Sequence, residues 1–459
     1  MMRDSCHIAV LVFPFGSHAT PMLNLVKGIA ASAPENVKFS FFSTAESSKS
    51  IFPGSAAKCD GDFSNIKAYD VWDGVPEHHV FSGNAIFARI GMFLDATPGN
   101  FDKAMKEAEE DTGLKLSCLL TDAFLWFSAD LAEKHGVPWV PFWTAGSCSL
   151  SAHLYTDEIR KLGATTEETV GMIPGFEGLS IDDVPREILL DNEQSPLSLL
   201  LHNMALNLPR ANAVVVNSFE ELDPAITLDL KPKLQNLLNV SPIPLIAAAA
   251  ASRTEPKFAA NHDDECIKWL KKQDETSVVY IGFGSSVITL PPHEMVALAE
   301  ALETCKSPFL WSLRDRARKS LPAGFVNRTS GFGKLVSWAP QMEVLASGKV
   351  GVFVSHGGWN SVLESISFGV PMICRPFFGD HGLNSAMVEN KWRAGLKVKD
   401  GVFTKNGTLN ALELVLNGEK GKELKENVQL IKGLAIDAVK PNGSSMRNFQ
   451  ELLKVITMS

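Results

Sequence analysis

Residues able to do chemistry are concentrated between Trp338 and His381, in WAPQMEVLASGKVGVFVSHGGWNSVLESISFGVPMICRPFFGDH. Trp338 precedes Ala339-Pro340-Gln341, a turn that leaves a flat indole available to stack on a ring. The apolar run Val350 to Val354 predicts a buried strand. It breaks into Ser355-His356-Gly357-Gly358-Trp359-Asn360-Ser361, and from there a helix is expected with Glu364 on its first turns. Strand, Gly-rich bend and helix N-terminus form an anion site, because unpaired backbone N–H groups and the helix dipole both point at the bend. His356, Asn360 and Ser361 add donors where a phosphate would lie, and Glu364, one turn further in, suits the hydroxyl pair of a ribose. The stretch closes on Asp380-His381, polar groups after an apolar strand and Phe377-Phe378. An aromatic stacker, a phosphate cradle, a ribose carboxylate and a terminal polar pair, in that linear order, suit a nucleotide sugar.

A second set lies near the N-terminus. His18 follows the short apolar strand Ile8 to Phe13 and sits in a loop, where an imidazole titrating near neutrality can act as general base. Asp122 ends another predicted strand and can accept from the second imidazole nitrogen, fixing the tautomer and stabilising the imidazolium. A lone loop histidine is ordinarily a polar surface residue; the aspartate at a neighbouring strand end singles this one out. His356 has no second His, Cys or carboxylate at ligand spacing, so no metal site is expected.

The elements that must position these groups follow one plan twice. Ile8 to Phe13 is a strand, Pro14 to Thr20 a loop, and Pro21 starts a helix through Ala31; Val278 to Phe283, the loop to Pro292 and a helix from His293 to Cys305 repeat it. Each opens a series of strands alternating with amphipathic helices, which predicts two doubly wound α/β domains with parallel sheets. Further strands are expected at Leu116 to Leu120, Trp139 to Trp143, Ala213 to Val216, Phe309 to Leu313, Leu335 to Ser337 and Pro371 to Arg375. An amphipathic helix is expected at Ser444 to Ile456. Domain bounds follow as 1–246 and 265–440, with 441–459 a terminal helix. The Ala run 247–251 and the charged stretch to 264 form a linker, continuing from Pro242-Ile243-Pro244. Ligands gather at the carboxyl ends of strands in such sheets, so the cleft between the domains is the expected site.

Composition narrows the classes. With 459 residues, 45% apolar and 21% charged, the chain has the make-up of an ordinary globular protein. A net charge of −9 without a basic cluster argues against nucleic acid or an anionic membrane as partner. No apolar run reaches the roughly 18 residues of a membrane span. The seven cysteines are scattered, without C-x-x-C, in the manner of a reduced compartment; a cytoplasmic monomer is expected.

The Trp338–His381 stretch resembles the signature of plant secondary-product glycosyltransferases, family 1 UDP-glycosyltransferases, which runs from a WAPQ tryptophan to a closing D-Q or D-H. Likeness extends along nearly the whole chain: HATP at 18–21, LLTDAFLWFSADLA at 119–132, WTAG at 143–146, NSFEELD at 217–223, GFGSS at 282–286 and LPPHE at 290–294 look like the flavonoid and anthocyanidin 3-O branch. The resemblance implies a GT-B fold, two Rossmann-like domains facing across a cleft, with the C-terminal helix crossing back onto the first. It implies inverting transfer of a hexose from a UDP-sugar to the 3-hydroxyl of a flavonol or anthocyanidin such as cyanidin, without metal or other cofactor. His18 and Asp122 match the catalytic dyad. Thr144, Ser285, Trp338, Ala339, Gln341, His356, Trp359, Asn360, Ser361, Glu364, Asp380 and His381 match donor positions; Phe15, Asn84, Phe124, His153 and Phe378 match acceptor positions. Glucosyl-transferring members mostly close the signature on Gln; His381 resembles galactosyl-transferring ones and implies UDP-galactose, with UDP-glucose the alternative. A nicotinamide-dependent oxidoreductase is disfavoured because Gly282 to Val287 lacks the third glycine of G-x-G-x-x-G. A non-catalytic flavonoid or nucleotide-sugar binder would tolerate loss of His18 or Asp122, and both are present.

Overall fold

The computed structural model describes residues 5–34, 36–52, 64–81, 85–162, 170–189, 193–250, 265–284 and 289–457. Among the described residues thirteen strands run in chain order: β1 Cys6–Leu11, β2 Val37–Thr44, β3 Ile66–Val71, β4 Cys118–Asp122, β5 Trp139–Trp143, β6 Val214–Val216, β7 Leu237–Asn239, β8 Val278–Gly282, β9 Phe309–Ser312, β10 Gly333–Val336, β11 Val350–Ser355, β12 Met372–Cys374 and β13 Gly395–Lys397. They form two sheets, ordered β3-β2-β1-β4-β5-β6-β7 and β10-β9-β8-β11-β12-β13, and every pair is parallel. Both reverse direction about their first strand, the doubly wound order, so crevices open between β1 and β4 and between β8 and β11. The fold is the two-domain GT-B architecture. Central strands such as β1 and β11 are buried along their whole length, which is why they read as continuous apolar runs.

The helices that matter to the cleft are α1 Ala19–Ser32, α2 Ile86–Thr112, α3 Ser147–Leu154, α4 Ile243–Ala250, α5 Gln341–Ala346, α6 Trp359–Phe368, α7 His381–Ala386 and α8 Ser444–Thr457. Helix α1 begins two residues before Pro21; proline is tolerated there because first-turn N–H groups have no helical acceptor. Helix α8 buries Met446, Phe449, Leu452 and Ile456, one face of an amphipathic helix, in the core formed by β1, β2 and α1. Ser445 Oγ donates to the Ser241 carbonyl at 2.7 Å and Asn448 Nδ2 to that of Asn239 at 3.1 Å, pinning the tail of the chain to the first domain.

Two expectations are corrected. Pro242-Ile243-Pro244 and the first alanines do not start the linker: α4 runs through Ala250, and Ile243 and Ile246 are buried in the first domain. Its proline cluster sits at a helix start, where proline fits. Residues 251–264 of the expected linker lie outside the described residues. The strand expected at Leu335 to Ser337 starts two residues earlier, and β2, β3, β7 and β13 were not anticipated.

Because α8 completes the first core, Phe449→Ala should destabilise the first domain by about 3–5 kcal/mol. Urea unfolding monitored on the first-domain transition would show it, with Leu430→Ala, on an exposed side chain, as the near-neutral control. A midpoint unmoved by Phe449→Ala would mean that the helix contributes nothing to that core.

Candidate active site

On the first-domain wall, His18 occupies the N-cap position of α1, just past the carboxyl end of β1, and Asp122 is the last residue of β4. The strand-order reversal thus brings together two groups far apart in sequence. His18 Nδ1 lies 2.8 Å from Asp122 Oδ2, while Asp122 Oδ1 accepts the Phe124 N–H at 2.9 Å. Both carboxylate oxygens are fixed, and the aspartate is buried. With Nδ1–H donating to Asp122, the lone pair sits on Nε2, the arrangement a general base requires. Thr144 Oγ1 is a further neighbour of Nδ1 at 3.1 Å. The imidazole leans on Phe124 (4.4 Å between centroids) and Phe13 (5.1 Å), and Phe15 continues this wall through Phe13 and Phe93. His153 is buried edge-on to Trp143, and burial drops its pKa to about 3, so it stays neutral. Asn84 lies outside the described residues.

On the second-domain wall, β11 delivers Ser355-His356-Gly357-Gly358 into the N-terminus of α6. Gly357 adopts φ +77°, a left-handed turn that glycine supports, and a side chain there would run into Ser385 on α7. His356 is buried edge-to-face against His381, 4.8 Å between centroids, and burial lowers its pKa to about 3 and that of His381 to about 4. Both rings are neutral near pH 7, and the buried Nδ1 of His381 has no hydrogen-bond partner among the described residues. Glu364 Oε2 and Ser361 Oγ both accept from Gln341 Nε2, at 2.8 and 3.1 Å. Burial raises the Glu364 carboxyl to about 7 despite that bond. The Trp338 indole is 69% exposed and free to stack, whereas Ala339 is buried beside it. Asp380, at the N-cap of α7, has its carboxyl pushed up by burial and receives Asn384 Nδ2 at 3.0 Å. Phe378, 62% exposed, tilts over His381 at 4.8 Å. Ser285 lies outside the described residues.

The walls meet through a few contacts. The Trp359 indole N–H donates to the Asn217 carbonyl at 2.6 Å, and a Cβ on Gly146 would stand 2.6 Å from the indole ring. Asn217 Nδ2 reaches the Thr144 carbonyl at 2.9 Å and Asn360 Oδ1 at 3.3 Å. Cys148 Sγ on the first-domain wall donates to Asn384 Oδ1 at 3.6 Å, and Asn384 Nδ2 donates to Asp380 at 3.0 Å, so Asp380 stands where the two walls meet.

Two assignments change in kind. The Trp359 side chain is held in the domain interface and not turned to a sugar, which leaves its backbone N–H, in the first turn of α6, as its possible contribution. Gln341 holds Glu364 and Ser361 with its amide nitrogen. Sequence reasoning missed Phe13, Phe93, Asn217 and Asn384; Asn217 carried a signal, since it directly follows β6 at a carboxyl strand end.

The family model of UDP-glucoronosyl and UDP-glucosyl transferase matches residues 60–441. The chain belongs to this family. An anthocyanidin 3-O-glucosyltransferase of Gentiana triflora is 55% identical over 98% of each chain. An anthocyanidin 3-O-galactosyltransferase of Actinidia chinensis var. chinensis is 49% identical over 99% of this chain and 98% of the other. The crystal structure of a UDP-glucose: anthocyanidin 3-O-glucosyltransferase in complex with UDP superposes with a TM-score of 0.88 at 39% identity, all of each chain covered. Among the described residues no helix of this UDP-glycosyltransferase is long and apolar enough to cross a membrane.

The dyad geometry sets an expectation for this UDP-glycosyltransferase. His18→Ala should lower kcat/KM by ~10²–10⁴-fold while UDP affinity stays within about threefold, because Trp338, Gln341, Glu364 and the N-terminus of α6, the residues expected to hold UDP, stand on the other wall. Steady-state kinetics with calorimetric UDP titration would test it; wild-type turnover in the variant would remove His18 from the chemistry.

Proposed function

We propose that the enzyme transfers a hexose, with inversion, from a UDP-sugar to the 3-hydroxyl of a flavonol or anthocyanidin. The observation that carries this is the His18–Asp122 pair at one switch point, linked through Thr144 and Asn217 to the N-terminus of α6 at the other. Trp338 stacks on uracil, Glu364 accepts from the ribose hydroxyls, and the diphosphate lies on the N-terminus of α6 with His356, Asn360 and Ser361. The acceptor lies along Phe15, Phe124 and Phe378, a flat apolar wall fitted to a flat polyphenol. As the acceptor oxygen bonds to the anomeric carbon and the bond to the diphosphate breaks, the hydroxyl proton passes to His18 Nε2. Asp122 stabilises the imidazolium, and the charge released on the diphosphate meets the α6 dipole and N–H groups. No metal is assigned a part. Incubating the protein with UDP-hexose and quercetin and mapping the product by NMR tests the reading; 7-O-hexosides alone would overturn the 3-hydroxyl assignment.

For the donor we favour UDP-galactose. His381 presents one donor and one acceptor at fixed angles, and its unpartnered buried Nδ1 gains most from a sugar hydroxyl that reaches it. A polar partner left unpaired costs ~1–3 kcal/mol, roughly ten- to a hundredfold in selectivity. UDP-glucose is the second reading, supported by the Gentiana triflora relative, named a glucosyltransferase. Competing the two donors on one acceptor should give mainly galactoside, and His381→Gln should shift the ratio towards glucoside; a glucoside-dominated wild-type product defeats the preference.

Glu364 yields a pH expectation. Its carboxyl, raised to about 7, is partly protonated at pH 7. Ribose hydroxyls donating to it favour the carboxylate, so its pKa falls on binding and a proton leaves. UDP titrations at pH 7 in buffers of different ionisation enthalpy should show proton release, absent in Glu364→Gln. Identical enthalpies in every buffer would place the ribose elsewhere.

A further inference from the structure

Asn384, on α7, is fully buried and lies within hydrogen-bond reach of three different parts of the cleft. Its Nδ2 donates to Asp380 Oδ2 at 3.0 Å and to the Gly357 carbonyl at 3.1 Å, so one amide ties the sugar-side carboxylate to the Gly-rich phosphate bend. Its Oδ1 receives the Cys148 Sγ–H at 3.6 Å from α3, in the opposite domain. An amide can be placed with oxygen and nitrogen exchanged, and the network decides which is right. Here the partners agree: a carboxylate and a carbonyl can only accept, so they face the NH₂, and the thiol donates to the oxygen. Burial pushes the Cys148 thiol far above its usual range, so it keeps its proton and remains a donor.

We propose that Asn384 is a positioning residue for the donor hexose, holding Asp380 in the rotamer that meets the sugar, and that Cys148 is the acceptor domain's contact with that amide. The inference rests on the reading that Asp380 bonds the hexose. Burial drives the Asp380 carboxyl towards its neutral form and the Asn384 N–H opposes this; the other titratable groups facing it are Glu187 and Cys148, which stay unchanged in the Asn384 variants, and His18 across the cleft. Removing the amide therefore raises the pKa of Asp380, and the carboxylate is lost at a higher pH as the solution is acidified. Of the hydrogen bonds at Asn384, the one to Cys148 crosses between the domains, so the orientation of the amide depends on how closely the two walls stand.

The variants Asn384→Ala, Asn384→Asp and Cys148→Ala test this against wild type, with kcat and KM for UDP-hexose, calorimetric UDP affinity and pH profiles. For Asn384→Ala we expect KM for UDP-hexose to rise about tenfold or more, UDP affinity to stay within about threefold, and the acid limb of kcat/KM to move to higher pH. Asn384→Asp keeps the side-chain size should the alanine variant fail to fold. It sets a second carboxyl against Asp380, and two carboxyls this close share a proton. Its activity should fall at neutral pH and partly recover on acidification, opposite in sign to the alanine variant. Cys148→Ala should raise KM for UDP-hexose in the same direction as Asn384→Ala, by about twofold to fivefold. Equal losses in UDP and UDP-hexose affinity, or acid limbs that coincide with wild type in both Asn384 variants, would overturn the proposal and leave Asn384 a packing residue. Asp380→Asn serves as reference: unchanged KM for UDP-hexose there, or no hexose transfer by wild type, would defeat the underlying functional reading instead.

Discussion

The seat of Trp359 governs how the two halves can stand. Its ring lies where Gly146 has no side chain, so the walls approach to a distance that any larger residue at 146 would forbid. Its N–H is satisfied by the Asn217 carbonyl, which fixes orientation as well as distance. From Asn217 the constraint passes to the Thr144 carbonyl, and from the Thr144 hydroxyl to His18. Trp359, the first residue of α6, is thereby linked to the His18 imidazole. Large, fully buried aromatics with a satisfied polar atom are effective anchors because they combine apolar area with a direction.

Burial gives the cleft its electrostatic character. His356 and His381 are driven neutral, while Glu364 and Asp380 are driven towards their neutral forms. His356 and His381 are buried and Glu364 and Asp380 half-buried, so hydrogen bonds there are stronger than in solution and an unpaired group costs more. A ligand bringing hydroxyl donors to the carboxyls and a diphosphate to a helix N-terminus supplies the partners such a site lacks. Asp122 differs: its two oxygens are already matched by His18 and the Phe124 N–H, so it orients a ring and makes no demand on a ligand.

Much of this was legible in the sequence where chemistry and chain order coincide. Trp338 to His381 is one continuous strand-bend-helix run, so spacing alone ordered its residues, and His18 and Asp122 stood at strand ends where doubly wound sheets collect ligands. What was not legible depended on contacts between segments. Asn384 gains its meaning from Asp380, Gly357 and Cys148, residues whose convergence only the folded chain shows. Trp359 sits in a stretch that reads as donor site throughout, and nothing local revealed that its ring faces Gly146. Among the unanticipated strands, β7 and β13 have three residues each, too few to display a period, and β2 buries Ser40, Ser43 and Thr44, so it shows neither an apolar run nor clean alternation. The linker was misplaced because prolines opening α4 carry the same letters as prolines that break a chain.

Thr144 brings the two readings together. The sequence likeness assigned it to the sugar, and the structure puts its hydroxyl 3.1 Å from His18 Nδ1. These roles are compatible once protons are counted. Nδ1 carries one proton, and the nearer acceptor, Asp122 Oδ2 at 2.8 Å, takes it. The Thr144 oxygen then stands as a secondary acceptor, which leaves its own hydroxyl proton uncommitted to the imidazole. In the proposed transfer His18 would become an imidazolium, and both oxygens beside Nδ1 would stabilise the ion, Asp122 as a carboxylate and Thr144 as a dipole. The same hydroxyl can donate outward to a donor-sugar oxygen while its lone pair faces the ring. Under the proposed function, a threonine in this place would tie the position of the sugar to the orientation of the base, a coupling that neither Asp122 nor Asp380 makes alone.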